Sequence, residues 1–138
     1  MTTPTPDNKT VVRATWEGLF NEGRLELADQ YISPQFVNHA VPNAPKGPEA
    51  FKRLVQGYRM AFPDAHFQVE RLLGEGDEVV MVNTFTGTMH GSFMGYAPTG
   101  KRGTQRQIHL IRVANGQIVE HTAVRDDLTL LRELGVLD

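Results

Sequence analysis

Gln107, His109 and His121 lie in two runs of alternating residues, Gln107–Ala114 and Gln117–Ala123, on either side of Asn115-Gly116. An imidazole with its ordinary pKa of about 6.5 moves protons at neutral pH. A neighbouring amide can hold or polarise a carbonyl while charge develops on it. The three together could therefore run proton transfer beside a carbonyl, provided they share a face. The turn decides that. A two-residue turn at Asn115-Gly116 sets position 109 opposite 122 and puts the histidines on opposite faces. A three-residue turn, Ala114-Asn115-Gly116 with Gly116 as a left-handed bulge, sets 109 opposite 121 and 107 opposite 123. Only the second register gathers Gln107, His109 and His121, and the local sequence permits both.

The five histidines are His39, His66, His90, His109 and His121. His66 and His90 sit at strand or loop edges among polar neighbours and read as surface residues. His109 and His121 lie between apolar residues, where an imidazole needs a partner. With His39, beside Asn38, they are the candidates for a pocket. No metal site is read: a metal needs three or four converging ligands, and no carboxylate here has ligand spacing to a histidine. Cysteine is absent, which removes thiolate nucleophiles and Cys-ligated metals. No GxSxG elbow is present, and Gly87, Gly91 and Gly95 do not precede a helix, so they form no phosphate cradle. Asp64, after Pro63, either points into the mouth of the fold or caps a turn. Trp16, Tyr58, Phe62, Phe93 and Met94 would be core in most proteins. In a partly hollow fold some of them would line the pocket wall.

These residues need a scaffold, and the periodicity supplies one. Asp7 or Asn8 can cap a first helix carrying Val12, Trp16, Leu19 and Phe20 at helical spacing. Gly23 breaks it, a short helix runs from Arg24 to Tyr31, and Ser33-Pro34 stops that one. Phe36 to His39 reads as a short strand. Gly47-Pro48-Glu49 opens a third helix with Phe51, Leu54, Val55, Tyr58 and Phe62 on one stripe. From His66 the period changes to two, giving strands over 66–73, 78–88 and the 101–124 hairpin, before a last helix capped by Asp126 or Asp127. Helices first and an antiparallel meander after them make an α+β fold with helices on one face of a curved sheet. Such a sheet forms a cone, and a cone not fully filled has a pocket at its mouth. Residues 1–8 read as a Thr/Pro tail and 9–138 as a single domain.

The 138 residues carry a formal net charge of −2 with no basic run, which argues against nucleic acid as a partner. No apolar run approaches the length of a membrane span, and the first residues lack a signal pattern, so a cytoplasmic protein is expected.

Several segments together resemble the SnoaL-like polyketide cyclases. They are Tyr31-Ile-Ser-Pro-Gln-Phe-Val-Asn-His39, Gly47-Pro-Glu-Ala-Phe51, Ala61-Phe-Pro-Asp64, Thr86-Gly-Thr-Met-His-Gly91, Pro98-Thr-Gly100 and Arg112 to His121. The resemblance runs from about Val11 to Gly135. It implies the cone-shaped α+β barrel of nuclear transport factor two, a homo-oligomer (dimer or tetramer), a deep pocket for a polyketide-like small molecule, and no metal or organic cofactor. It also implies an aspartate on the last strand as general acid/base in an intramolecular aldol closure, assisted by a histidine and a glutamine on the preceding strand. His109 and Gln107 match that pair, and the implied shared face favours the three-residue turn. Fourteen residues after His109, where the aspartate would stand, the chain has Ala123.

An alanine takes no proton, so the aldol mechanism does not carry over unchanged. Three readings follow. In the first, the chain is an enzyme for cyclisation, isomerisation or hydration in which His121 or His109 replaces the aspartate, with Gln107, Asn38 and His39 holding the substrate. That predicts activity falling below about pH 6 as the imidazole protonates. In the second it binds a small molecule without turnover. In the third it is a structural domain with a filled cone.

Overall fold

The structure, a computed structural model, describes residues 7–138; most of the tail read from the sequence lies outside them. Helix α1 (Asn8–Thr15) is capped by the Asp7 side chain, which accepts from Lys9 N at 3.1 Å. The same helix runs on as a π-helical segment, Trp16–Asn21. Helix α2 (Glu26–Tyr31) leads directly into strand β1 (Ile32–Asn38). The strand therefore contains the Ser33-Pro34 pair expected to lie between helix and strand. Proline is tolerated there because β1 is an edge strand and its pairing is interrupted between Ile32 and Val37. Helix α3 (Pro48–Ala61) follows, with proline in its first turn. Strands β2 (His66–Glu75), β3 (Glu78–Thr88), β4 (Arg102–Ala114) and β5 (Gln117–Arg125) form the meander. Helix α4 (Asp127–Glu133), capped by Asp126, closes the chain.

The five strands make one open mixed sheet in the order β1-β5-β4-β3-β2, with β1 parallel to β5 and the other pairs antiparallel. The sheet does not close into a barrel. Its inner face packs on the helices through Trp16, Leu19, Phe20, Phe51, Val55, Phe62, Phe67 and Phe85, each almost wholly buried. Phe67 and Phe85 come from β2 and β3, and the others are the apolar stripes of the first and third helices, so the periodicity that predicts the helices also predicts the face they bury.

Neither register expected for the β4–β5 hairpin is the one formed. The turn is the two-residue kind, with Asn115 and Gly116 at φ 54° and 76° and Ala114 paired to Gln117. Positive φ at both central residues matches the twist of the flanking strands, which is why Asn-Gly suits it. The pairing then slips by one residue: Val113 faces Ile118, but Arg112 faces Glu120. That β-bulge in β5 inverts every later side chain relative to the turn. His109 consequently faces Ala123 and Ile111 faces His121. Both histidines point inward, by a two-residue turn plus a bulge.

Candidate active site

Between Gln105 and Leu110, strand β4 turns polar residues inward and apolar ones outward. Gln105, Gln107 and His109 are buried, whereas Ile108 and Leu110 are 54% and 42% exposed. Opposite the inward residues, β3 places Phe85, Asn83 and Met81, and β5 adds Ala123 across from His109 and Arg125 across from Gln107.

The buried polar side chains form one continuous chain of contacts. Asn38 Oδ1 lies 2.9 Å from His121 Nδ1, His121 Nε2 lies 2.8 Å from His109 Nδ1, and His109 Nε2 lies 2.9 Å from Gln107 Oε1. Asn83 Nδ2 donates to the same Gln107 oxygen at 3.1 Å, and Gln107 Nε2 donates to Gln105 Oε1 at 2.7 Å. The Tyr58 hydroxyl, 3.4 Å from Gln105 Oε1, sits over this end. Gln105 Nε2 finally donates to Asp127 Oδ1 at 2.6 Å, where α4 begins. Among the described residues two buried side-chain atoms have no partner: Asn38 Nδ2, a donor, and Asn83 Oδ1, an acceptor.

Aromatic rings cover the pair. The Trp16 ring centroid is 5.1 Å from that of His109 and 5.6 Å from that of His121, and Phe51 lies 5.7 Å from His121. Burial consequently pushes both imidazoles down: His109 to well below its ordinary range, helped by the charge of His121, and His121 to about 3, helped by Arg125 and His39. Both rings are neutral at physiological pH. Protonation of the rings near pH 6, expected for an ordinary imidazole, is displaced to lower pH. Burial also raises the Tyr58 hydroxyl pKa, opposed by the Arg125 charge.

The pocket expected at the mouth of the cone is not an open chamber over the histidines. Trp16 and Phe51, 1% and 0% exposed, lie against the pair, and Tyr58 and Phe62, 6% and 0% exposed, fill the inner face beyond it. Solvent does reach the inner face beside the pair, because Ala123 and Arg125 are only partly buried. Arg125 lies close enough to act on Tyr58, His109 and His121 and makes no ion pair among the described residues. A surface depression of about 250 Å³ lies further along, lined by Leu54, Tyr58, Phe93 and Met94.

Of the residues singled out in the sequence, the fold brings together Gln107, His109, His121, Asn38, Trp16, Tyr58 and Ala123. Phe62 and Phe93 stack against Tyr58 at the far end, with centroids 6.5 and 5.8 Å from it, and Met94 is exposed on the loop. His39 stays outside: its backbone N–H donates to His121 O at 2.8 Å, while its ring is exposed 3.9 Å from Glu120. Asp64 also stays outside. Its carboxylate accepts from Thr88 N and Thr88 Oγ1, both at 2.7 Å, and those bonds hold its pKa down. These bonds tie it to the end of β3, 24 residues away, so it neither points into the mouth nor caps a local turn. As site residues, Gln105 and Asn83 are not picked out by the sequence, Asp127 is read only as a possible helix cap, and the contiguous Arg125-Asp126-Asp127 is set aside. The signal for Gln105 is the run Gln105-x-Gln107-x-His109, a period of two in polar residues. Asn83, Arg125 and Asp127 have no comparable signal. Among the described residues no group of three or more histidine or acidic side chains is placed to hold a metal ion.

The profile of the SnoaL-like polyketide cyclases matches residues 10–134. The chain belongs to the SnoaL-like polyketide cyclase family. That match spans every residue of the buried network, from Asn38 to Asp127. Nogalonic acid methyl ester cyclase of Streptomyces nogalater is 34% identical over 119 residues, 84% of this chain and 89% of that one. Aklanonic acid methyl ester cyclase of Streptomyces peucetius is 32% identical over 120 residues, covering 84% and 83%. Among solved structures, TsrD of Streptomyces laurentii superposes with a TM-score of 0.85 at 25% identity, covering 93% of this chain and 97% of that one. IdmH of Streptomyces antibioticus gives 0.82 at 29% identity, covering 94% and 99%. The SnoaL-like fold is thus carried by both sequence and coordinates.

Proposed function

We propose that this SnoaL-like protein is a cofactor-independent cyclase that closes a ring on a polyketide-like methyl ester, with the His109–His121 pair as proton-transfer group where Ala123 replaces the family's aspartate. One observation carries the reading: the two imidazoles are joined at 2.8 Å on the inner face, and His109 stands directly against Ala123. A pair of neutral imidazoles is in the form that takes a proton, and a positioned base contributes roughly 10²–10⁴-fold to rate. The unpartnered Asn38 Nδ2 and the Arg125 guanidinium are the donors available to a developing enolate. Gln107 keeps His109 in register. Ring closure also draws on orientation, which an aromatic wall of Trp16 and Tyr58 provides for a flat substrate. The same reading includes a cytoplasmic homo-oligomer, assembled through the apolar outer face on which Ile108 and Val124 pair.

A second reading, binding without turnover, is favoured by the rings being 3% and 1% exposed. Aldol closure conserves mass, so the test is chromatographic and spectroscopic conversion of a nogalonic- or aklanonic-type methyl ester by the purified protein. Trp16 is the chain's single tryptophan and lies on both imidazoles, so its fluorescence reports binding separately. Quenching without conversion selects the binding module. Conversion that survives loss of both histidines sinks the role given to the pair.

A further inference from the structure

Three contacts run through the two imidazoles, and their hydrogens can be counted. Asn38 Oδ1 accepts from Ala40 N at 3.0 Å, which identifies it as the oxygen facing His121. The 2.9 Å contact to His121 Nδ1 therefore needs a hydrogen on that nitrogen. At the other end the Asp127 carboxylate accepts from Gln105 Nε2, which turns Gln105 Oε1 toward Gln107 Nε2 and so Gln107 Oε1 toward His109. The 2.9 Å contact to His109 Nε2 needs a second hydrogen. The 2.8 Å contact between the rings needs a third. Two neutral imidazoles carry one N–H each. The neutral network is one hydrogen short, and in every one of its tautomers lone pairs face each other at one or more of the three contacts.

We infer that His109 and His121 are a single proton-accepting unit, pinned between the carbonyl oxygens of Asn38 and Gln107, that takes up one proton and not two. The first proton supplies the missing hydrogen and is shared across the ring-to-ring contact. A second would set two cations side by side and remove the acceptor from that contact. The groups facing the pair set its midpoint. Arg125 on β5 and His39 after β1 oppose uptake, Trp16 and Phe51 withhold water, and Asp127 acts only through the two glutamines. As a step in turnover the inference rests on the cyclase reading. A C–H bond beside the substrate carbonyl breaks, its electron pair passes to the enolate oxygen, and its proton completes the network. The alkoxide formed with the new C–C bond takes that proton back. Asn38 and Gln107 are positioning residues in this scheme, since they act through the rings.

The test is a titration of the ring ¹⁵N signals of the full chain, labelled at histidine and free of substrate, from pH 8 to the lowest pH at which it stays folded. The expected result is one shared midpoint for both rings and one proton in total. Asn38→Asp should raise that midpoint by about one pH unit, since a carboxylate demands the hydrogen more strongly. Asn38→Leu should lower it by about as much, because two hydrogens then satisfy the remaining contacts. If the Leu variant does not fold, the wild-type and Asp titrations carry the test. Separate midpoints, a proton on each ring, rings that stay neutral until unfolding, or a midpoint unmoved by Asn38→Asp would each overturn the inference. A shared midpoint without conversion of either ester would sink the cyclase reading alone.

Discussion

Ala123 stands directly across from His109 in the β4–β5 ladder, on the inner face and in partial contact with solvent. A longer side chain at 123 would reach the imidazole. The proposed reading takes Ala123 to replace an aspartate, so the chain offers a reciprocal experiment. Ala123→Asp should raise the midpoint shared by the pair, because a nearby carboxylate favours the protonated form. It should also raise turnover of a methyl ester substrate by at least about 10-fold, within the range of a positioned acid/base. A rate equal to wild type, measured on a folded variant, would mean that the pair gains nothing from a carboxylate.

Removing either ring takes a hydrogen bond from each of its buried partners. His109→Ala leaves His121 Nε2 unpaired and Gln107 Oε1 with Asn83 Nδ2 alone, and His121→Ala leaves His109 Nδ1 unpaired and Asn38 Oδ1 with Ala40 N alone. Each should cost about 1–3 kcal/mol of stability, read by denaturant unfolding, and about 10²-fold or more in rate. Loss of stability with full activity would leave the pair a structural element only.

Stability should depend on pH through the same residues. Both histidines have folded pKa values held below their unfolded value, so the unfolded chain binds protons the folded one does not. Their contribution is fully present above about pH 6.5 and is lost as pH falls toward the folded value, about 3 for His121. The slope is at most about 1.4 kcal/mol per pH unit for each ring. Melting temperature measured from pH 8 to 4 should be level at first and then fall. The double variant His109→Phe, His121→Phe should flatten that fall, and an unchanged slope would show that other groups produce it.

The outer face predicts association. Ile108 and Val124 are paired across β4 and β5 and are 54% and 77% exposed, with Leu110 beside them at 42%. Val124→Asp with Ile108→Lys should convert a homo-oligomer to monomer in light-scattering chromatography while leaving secondary structure intact. A wild-type chain that already runs as a monomer removes this part of the reading.

Asp64 supplies the control. Asp64→Ala loses two bonds to Thr88 and should cost about 1 kcal/mol of stability, with the rate within about twofold of wild type. A larger loss of rate would return Asp64 to the site.

Much of this was readable in the chain. The stripe from Phe51 to Phe62 gives α3 and what it buries, and Asn115-Gly116 gives the hairpin, because both are local rules of backbone and period. The inward face of β4 was less accessible. Gln105, Gln107 and His109 are inside with Ile111 and Val113, while Ile108 and Leu110 are outside with Arg106, so alternation marks a strand without saying which side is core. The bulge was invisible because Val119 resembles its neighbours, and the slip is settled by what Glu120 and His121 gain beyond the turn. Closure of the network by Asp127, and the inward course of Arg125, depend on the strand order and on no local pattern.

Two of the contacts described above arise from a supernumerary residue. The helix that starts at Asn8 widens to π geometry from Trp16 onward, and β5 carries an extra residue before His121. In each case one amino acid more than the regular repeat sets the phase of everything after it. The meeting of indole and imidazoles is therefore written in the length of two segments as much as in their composition. Pairing the same residues without the bulge would turn His121, Ala123 and Arg125 outward together, whereas deleting Val119 would restore a regular ladder that keeps the three opposite Ile111, His109 and Gln107. A relative one residue shorter at this point would present the same interior face.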